Sequence, residues 1–171
     1  MGMDATPEQS ATSKKAMAAL FKAAAGDAAK RFRLVYAFNT DVSSTSFIIR
    51  TTTYTYVSYI LGYDEAAQEI VLLETDPELE NYGELLSFPR ENVRKARYGS
   101  FTAQYTLRDA RLRKGYIQFC VPHITDDPEL YPPVLQEEEA EAFNTFFLAH
   151  FADPEQKGFM GKLTRLFGAQ A

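Results

Sequence analysis

The feature that most constrains this chain is a series of strand-like segments through residues 31–121, which show a period of two at 32–38 and 101–107 and elsewhere are dense in Ile, Val, Thr and Tyr. The clearest case is residues 101–107, where Phe, Ala, Tyr and Leu alternate with Thr and Gln. These segments follow one another without an intervening stretch of helical period, so neighbouring strands are expected to pair in antiparallel fashion. The sequence therefore predicts an α+β or mainly β domain, with a curved antiparallel sheet or partly open barrel of about seven to eight strands.

Turn residues between the alternating segments set the expected strand boundaries. The first strand covers residues 32–38 and is followed by a polar loop, 39–46. Residues 89–92 begin with a proline and break the pattern between two later strands. The remaining strands are expected at 46–50, 53–63, 69–75, 84–88, 93–98, 101–107 and 116–121.

Two segments with helical periodicity flank the strands. Residues 14–30 are rich in Ala and predict an amphipathic helix that is weakened near Gly26, after a frayed segment at 1–13. Residues 134–151 predict a longer helix with four acidic residues near its N-terminal end, where carboxylates suit the helix dipole. We expect three parts: an N-terminal tail and helix at 1–30, the sheet domain at 31–152, and a short C-terminal helix at 153–171. The apolar stripe of the longer helix consists of Ala140, Phe143, Phe146, Phe147, His150 and Phe151.

The order of these elements resembles the pleckstrin-homology-like (PH-like) superfold, especially its bacterial versions. The resemblance covers residues 31–151: a strand meander, a break at 89–92 and a closing helix at 134–151. It implies that Phe143, Phe146 or Phe147 fills the position of the Trp that eukaryotic members usually place in the closing helix, since this chain has no Trp. Eukaryotic phosphoinositide sites use Lys and Arg in the loop after the first strand. Residues 39–46 contain neither, so that route to inositol-phosphate binding is not expected here.

Composition narrows the class of protein further. With 171 residues and 46% hydrophobic content, the chain is long enough to bury a core as one domain. A single cysteine cannot form a disulfide within the chain, and we expect a cytoplasmic protein. A net charge of −5 argues against nucleic acid as a partner, and no apolar run approaches the ~20 residues of a membrane span.

Motifs for catalysis or cofactor binding are missing from the sequence, so we expect no enzyme, catalytic residue, cofactor or metal. Cys120 and His123 have the spacing of a zinc-ligand pair, but no second pair exists, and a structural thiol is the favoured interpretation. His123 with Asp126 and Asp127 is interpreted as a solvated acidic loop. A small-ligand or enzymatic barrel is kept as a further alternative, with a site built from Tyr54, Tyr56, Tyr59 and Arg50.

Charge is distributed in blocks. Residues 64–84 and 126–141 are acidic without basic residues, and residues 90–114 carry eight basic residues against two acidic ones. Such blocks either balance one another within the fold or present a surface of two signs to a partner. One local connection is predicted to hold an anion, through Arg108, Arg111, Arg113 and Lys114.

The C-terminal tail has the pattern of a basic amphipathic helix. Gly158 and Gly161 weaken it by roughly 1 kcal/mol each, so it needs a surface on which to fold. That surface is its own domain, a second copy, another protein or an anionic membrane. The contact residues predicted for it are Lys157, Phe159, Met160, Lys162, Leu163, Arg165, Leu166 and Phe167.

These observations lead to a first hypothesis and two alternatives. The first is a non-catalytic binding or scaffolding module that acts through protein–protein contacts or self-association, at its sheet edge and its basic tail. The second is a peripheral membrane-surface adaptor held by the tail, and the third is the ligand-binding or enzymatic barrel.

Overall fold

A computed structural model of the chain describes residues 5–46, 50–125, 127–154 and 156, with the backbone alone at 40–46 and 50–55. These residues form two α-helices and seven β-strands, with short 3-10 helices at Gly26–Arg31 and Arg90–Asn92. The elements in chain order are α1 (Pro7–Ala25), β1 (Arg33–Ser46), β2 (Arg50–Asp64), β3 (Glu69–Thr75), β4 (Tyr82–Pro89), β5 (Lys95–Gly99), β6 (Gln104–Arg108), β7 (Tyr116–Cys120) and α2 (Glu137–His150).

The seven strands form one antiparallel sheet in the order β4-β3-β2-β1-β7-β6-β5. The predicted α+β class is therefore confirmed. The sheet is not closed into a barrel, so β4 and β5 are its two edge strands. The two halves of the sheet meet along a narrow junction, because the one pair that joins β1 and β7 among the described residues is Phe38 with Cys120.

One helix packs on each face of the sheet. Helix α1 covers β1–β3 on one face and also lies close to β4, and its Phe21 and Met17 pack against Tyr36, Ile60 and neighbouring residues. Helix α2 covers the opposite face across both halves of the sheet. The strands β1–β3 are thus buried on both faces, whereas β5–β7 bury only the face toward α2. Burial on two sides explains why both parities of β1, Val35 and Ala37 as well as Tyr36, are apolar or aromatic.

The aromatic stripe predicted for the C-terminal helix is confirmed as its buried face. Phe143, Phe146 and Phe147 are almost fully buried, and Phe151 just beyond the helix is buried with them. Phe143 and Phe147 both meet the ring of Tyr105 on β6, with centroids 5.0 and 4.9 Å apart. Each of these rings contributes roughly 3–5 kcal/mol to stability if a change to Ala is the reference.

Helix α1 begins earlier than the sequence analysis predicts, at Pro7 rather than near residue 14. Thr6 and Gln9 form a capping box, in which the Thr6 hydroxyl accepts the Gln9 N–H and the Gln9 side chain accepts the Thr6 N–H. The helix ends at Ala25 because Gly26 adopts a φ of 63°. The expected fraying of residues 5–13 is therefore wrong, since Ser10 and Ser13 are buried.

Two strand predictions also need correction. The expected polar loop at 39–46 is the second half of β1, paired residue by residue with β2. The strand expected at 53–63 begins earlier, at Arg50, and the one expected at 46–50 falls mainly on residues 47–49, which lie outside the described part of the chain. Isolated Ser, Thr and Asn favour turns, but the Thr- and Tyr-rich partner strand extends the ladder over them. The strand expected to begin at Phe101 begins at Gln104 instead, and Phe101 lies in the preceding turn, fully exposed.

Among the described residues, no helix is both long enough and apolar enough to cross a membrane.

Candidate functional site: one free edge and one cationic face

The β5 edge of the sheet is covered by the segment that follows α2. The backbone N–H of Asp153 donates to the Ala96 carbonyl at 3.0 Å, and its carboxylate accepts the Ala96 N–H at 3.1 Å. Gln156 repeats this exchange two residues along: its side-chain oxygen accepts the Tyr98 N–H at 2.9 Å and its amide donates to the Tyr98 carbonyl. These bonds use up the outward backbone groups of Ala96 and Tyr98, so this edge is closed to a further strand.

The opposite edge, β4, is closed only at one end. The Arg90 N–H donates to the Gln68 carbonyl at 2.9 Å, which places the backbone of residue 90 toward β3. Because antiparallel strands alternate, Phe88 and Leu86 also face β3, while Ser87 and Leu85 face outward. A hydrogen bond supports this assignment: the Ser87 carbonyl accepts from Arg111 Nη2 at 2.8 Å, and Arg111 lies outside the β3–β4 pair.

The part of β4 around Leu85 keeps both outward backbone groups unpaired within the described residues. Pro89 has no N–H to offer, and the Ser87 carbonyl is occupied by Arg111. Among the described residues, nothing bonds the outward N–H and carbonyl of Leu85. Two apolar side chains on this stretch are also exposed, Leu85 by 37% and Tyr82 by 45%. We call residues 82–86 the free edge.

The β3–β4 loop beside the free edge is acidic and is held by internal hydrogen bonds. The β3–β4 loop is held by Asp76, whose carboxylate accepts the Glu80 N–H at 2.8 Å and the side-chain amide of Asn81 at 2.7 Å. Burial opposes ionisation of Asp76, but these hydrogen bonds outweigh it and lower the pKa of its carboxyl. The loop and the two strands that it joins present four exposed carboxylates: Glu74, Glu78, Glu80 and Glu84.

A second surface is the face of β5–β7 that points away from α2, which we call the cationic face. Helix α1 covers the β1–β3 half on that side of the sheet, so the side chains of β5–β7 there are exposed or half-buried. A shallow depression of about 300 Å³ lies on it. The residues of the cationic face form three cross-strand rows: Lys95–Arg108–Tyr116, Arg97–Thr106–Gln118 and Gly99–Gln104–Cys120.

The structure separates the four residues predicted to hold an anion. Arg108 lies on the cationic face, with its guanidinium 5.9 Å from the centroid of the Tyr116 ring. Arg111 instead points toward β4 and binds Asp109, with its Nε 3.0 Å from each carboxylate oxygen. Arg113 and Lys114 are exposed in the connection before β7.

Asp109 is the residue that holds the guanidinium of Arg111 within the fold. Its side chain is buried, and it accepts the Arg111 N–H at 2.9 Å as well as the guanidinium. The hydrogen bonds from Arg111 lower the pKa of the Asp109 carboxyl against the opposing effect of burial. This pair fastens the β6–β7 connection to the Ser87 carbonyl on β4 and is structural.

The other residues singled out from the sequence are dispersed. Tyr59 is buried toward α2, while Tyr56 is on the opposite face of β2 and meets the ring of Tyr131, so the two do not share a pocket. The side chains of Arg50 and Tyr54 and the tail contact residues, which begin at Lys157, lie outside the described part of the chain.

The cysteine and the two histidines have different surroundings. Cys120 is half-buried, and burial raises the pKa of its thiol. His123 is exposed, and His150 packs on the Phe146 ring with a centroid separation of 5.4 Å. Within the described ranges no three His, Cys, Asp or Glu side chains are grouped to hold a metal ion.

Comparison with known proteins returned no matching family model, no matching curated protein and no matching solved structure. The class is therefore defined by the fold itself: an α+β domain with an open seven-stranded antiparallel sheet and a helix on each face. The two surfaces described above carry the argument about function.

Proposed function

We propose that this protein is a non-catalytic protein-binding module that accepts an extended segment of a partner as an added strand beside β4. Strand addition uses the unpaired backbone groups of an edge for affinity and neighbouring side-chain contacts for specificity. The observation that carries the proposal is the outward backbone of Leu85, which has no partner among the described residues while the β5 edge is covered by Asp153 and Gln156.

The contrast between the two edges supports this function. An unprotected edge is a hazard for aggregation, and proteins generally cover it, shorten it or place charge beside it. Here β5 is covered and the C-terminal end of β4 is closed by Pro89 and Arg111. The free edge keeps open backbone groups together with two exposed apolar side chains, Tyr82 and Leu85, which suits a strand of limited length.

The surroundings indicate the chemistry of the partner. Exposed carboxylates at Glu74, Glu80 and Glu84 lie on or beside the free edge, so a basic segment is favoured over an acidic one. Tyr82 and Leu85 offer apolar contact to such a segment. We infer a partner segment in which Lys or Arg alternates with apolar residues over about four to six positions.

Selection from a displayed library of random ten-residue peptides tests this function. The native chain is expected to enrich peptides with alternating basic and apolar residues. The variant Leu85→Pro is expected to lose them, because proline removes the outward N–H without taking a bond from β3. The control Leu85→Ala keeps the N–H and is expected to retain most of the affinity. Selected peptides that bind Leu85→Pro as tightly as the native chain contradict strand addition.

Three finer assignments are proposals of the same kind. The PH-like assignment is supported by the order of four strands, a break at Arg90–Asn92, three strands and a closing helix. A cytoplasmic location is supported by the single cysteine. The alternative of a membrane-surface adaptor rests on the basic amphipathic pattern of residues 157–171, which lie outside the described part of the chain.

A further inference from the structure

We propose that the cationic face of β5–β7 is a binding site for a phosphate group, held by Lys95, Arg97 and Arg108. This surface is distinct from the free edge, because its residues belong to β5–β7 whereas the free edge is residues 82–86 of β4. The register of three strands, the hydrogen bonds within the face and its unbalanced positive charge support this site.

The first step is a juxtaposition of like charges. Lys95 is directly opposite Arg108 in the β5–β6 register, and Arg97 is two residues further along the same face. Opposed residues have Cβ atoms about 4.5–5.5 Å apart, and like charges in that position destabilise a sheet. Among the described residues none of these three cations is in a salt bridge. An anion placed between them removes the repulsion.

The next cross-strand row of the cationic face adds a neutral hydrogen-bond donor. Thr106 lies between Arg97 and Gln118, and its hydroxyl oxygen accepts a hydrogen bond from the Gln118 amide at 3.2 Å. That bond uses the hydroxyl oxygen as an acceptor, which leaves the O–H to donate to a further acceptor. Thr106 therefore adds a hydroxyl donor in the same cross-strand row as Arg97, in the depression of about 300 Å³.

The positive charge of the cationic face matches the negative charge of a phosphate group. Among the described residues that line the wider recess around this face, the one carboxylate is Asp153, and it accepts the Ala96 N–H at 3.1 Å. Three cations and a hydroxyl donor suit a phosphate monoester or diphosphate, which carries about −1.5 to −2 charges or more at neutral pH, better than a single carboxylate. Two guanidinium groups also match the geometry of phosphate oxygens through paired donors.

Pyrophosphate is the probe that tests this site, with inorganic phosphate as the smaller analogue. Titration of the native chain, followed by amide chemical shifts, is expected to give saturable binding with the largest changes at residues of β5 and β6. The double variant Lys95→Gln/Arg108→Gln is expected to bind at least tenfold more weakly. A matched control, Lys15→Gln/Lys22→Gln, removes the same charge from exposed positions of α1 and is expected to bind as the native chain does.

Two further arms make the outcome decisive. The single variant Arg97→Gln tests the same site if the double variant misfolds, and is also expected to weaken binding. Vesicles of phosphatidylcholine with and without phosphatidic acid separate a lipid headgroup from a free phosphate, since only the former source gives co-sedimentation. Equal affinity of the native chain and the Lys95/Arg108 variant, or the absence of saturable binding, overturns the proposal. An acidic peptide that competes more strongly than pyrophosphate overturns it as well.

Discussion

The side-chain amide of Gln136 occupies the place of a strand residue opposite Tyr36. Its oxygen accepts the Tyr36 N–H at 2.8 Å and its nitrogen donates to the Tyr36 carbonyl at 2.9 Å. The same nitrogen donates to the Pro122 carbonyl at 2.7 Å. Because β1 and β7 pair only around Phe38 within the described residues, one buried amide bridges the gap that opens between the two halves of the sheet.

This bridge predicts a large effect of a single substitution. Gln136→Met keeps the side-chain length but leaves the N–H and carbonyl of Tyr36 and the carbonyl of Pro122 without this partner. A buried unpaired polar group costs about 1–3 kcal/mol, and partial relaxation leads us to expect a loss of roughly 2–4 kcal/mol in the free energy of unfolding. Denaturant unfolding measures it. The control Gln104→Met, at a half-exposed position, is expected to change stability by less than about 0.5 kcal/mol. Equal effects at the two positions would show that Gln136 is not a bridge.

The packing of α1 on the sheet depends on a glycine. A Cβ atom at Gly62 would lie 2.8 Å from the tip of the Phe21 ring and 2.9 Å from a methyl group of Val71. We expect Gly62→Ala to destabilise the protein by about 1–3 kcal/mol, because both neighbours are buried and cannot move freely.

A double-mutant cycle with Phe21→Leu checks the cause. The shorter side chain of Leu makes room for the new methyl group at position 62. Phe21→Leu is therefore expected to lower the free energy of unfolding by less in the Gly62→Ala background than in the native chain. Strictly additive effects would contradict a clash between positions 21 and 62.

The Asp109–Arg111 pair predicts how stability depends on pH. The pKa of Asp109 is lowered in the folded chain, so its contribution is present above the unfolded-chain pKa of about 3.9 and is lost as pH falls through the folded value. Asp109→Asn is therefore expected to be less stable than the native chain at pH 7, and the difference is expected to shrink below about pH 4. Thermal melting across pH 3–7 measures both curves. A constant difference over this range would contradict the assignment.

The cover on β5 predicts different behaviour for two truncations. A chain that ends at Gln156 keeps the side chains that bond Ala96 and Tyr98, and we expect it to melt cooperatively as a monomer. A chain that ends at Ala152 still keeps the aromatic stripe of α2, so it is expected to fold, but its exposed β5 edge is expected to promote self-association. Light scattering after size-exclusion chromatography distinguishes the two. Identical, monomeric behaviour of both chains would show that Asp153 and Gln156 do not protect the edge.

Patterns local to one element could be predicted from the sequence. The stripe of Phe143, Phe146 and Phe147 follows from helical periodicity, and the strand at Glu69–Thr75 follows from a short apolar run after a turn. The extension of β1 through residues 39–46 could not be predicted, because polar residues there are strand only through pairing with β2. The start of α1 was predictable in principle, since Thr6 and Gln9 have the spacing of a capping box.

The candidate site was predicted less well, for a different reason. Grouping Arg108 with Arg111 assumed that neighbours in sequence form one patch. Register instead brings Arg108 beside Lys95 and Arg97, thirteen and eleven positions earlier, while Arg111 is drawn to the buried Asp109. The free edge at Leu85 depends on which backbone groups β3 has used, and no sequence pattern carries that information.

Amide hydrogen exchange at two neighbouring residues tests the central claim most directly. The Leu86 N–H faces β3 and the Leu85 N–H faces outward, so the free protein is expected to protect Leu86 and to exchange Leu85 rapidly. Saturation with a peptide from the selection is expected to slow exchange at Leu85 by at least tenfold and to leave Leu86 little changed. A Leu85 amide that is already protected in the free monomer, or that exchanges equally fast with peptide bound, would contradict strand addition at β4.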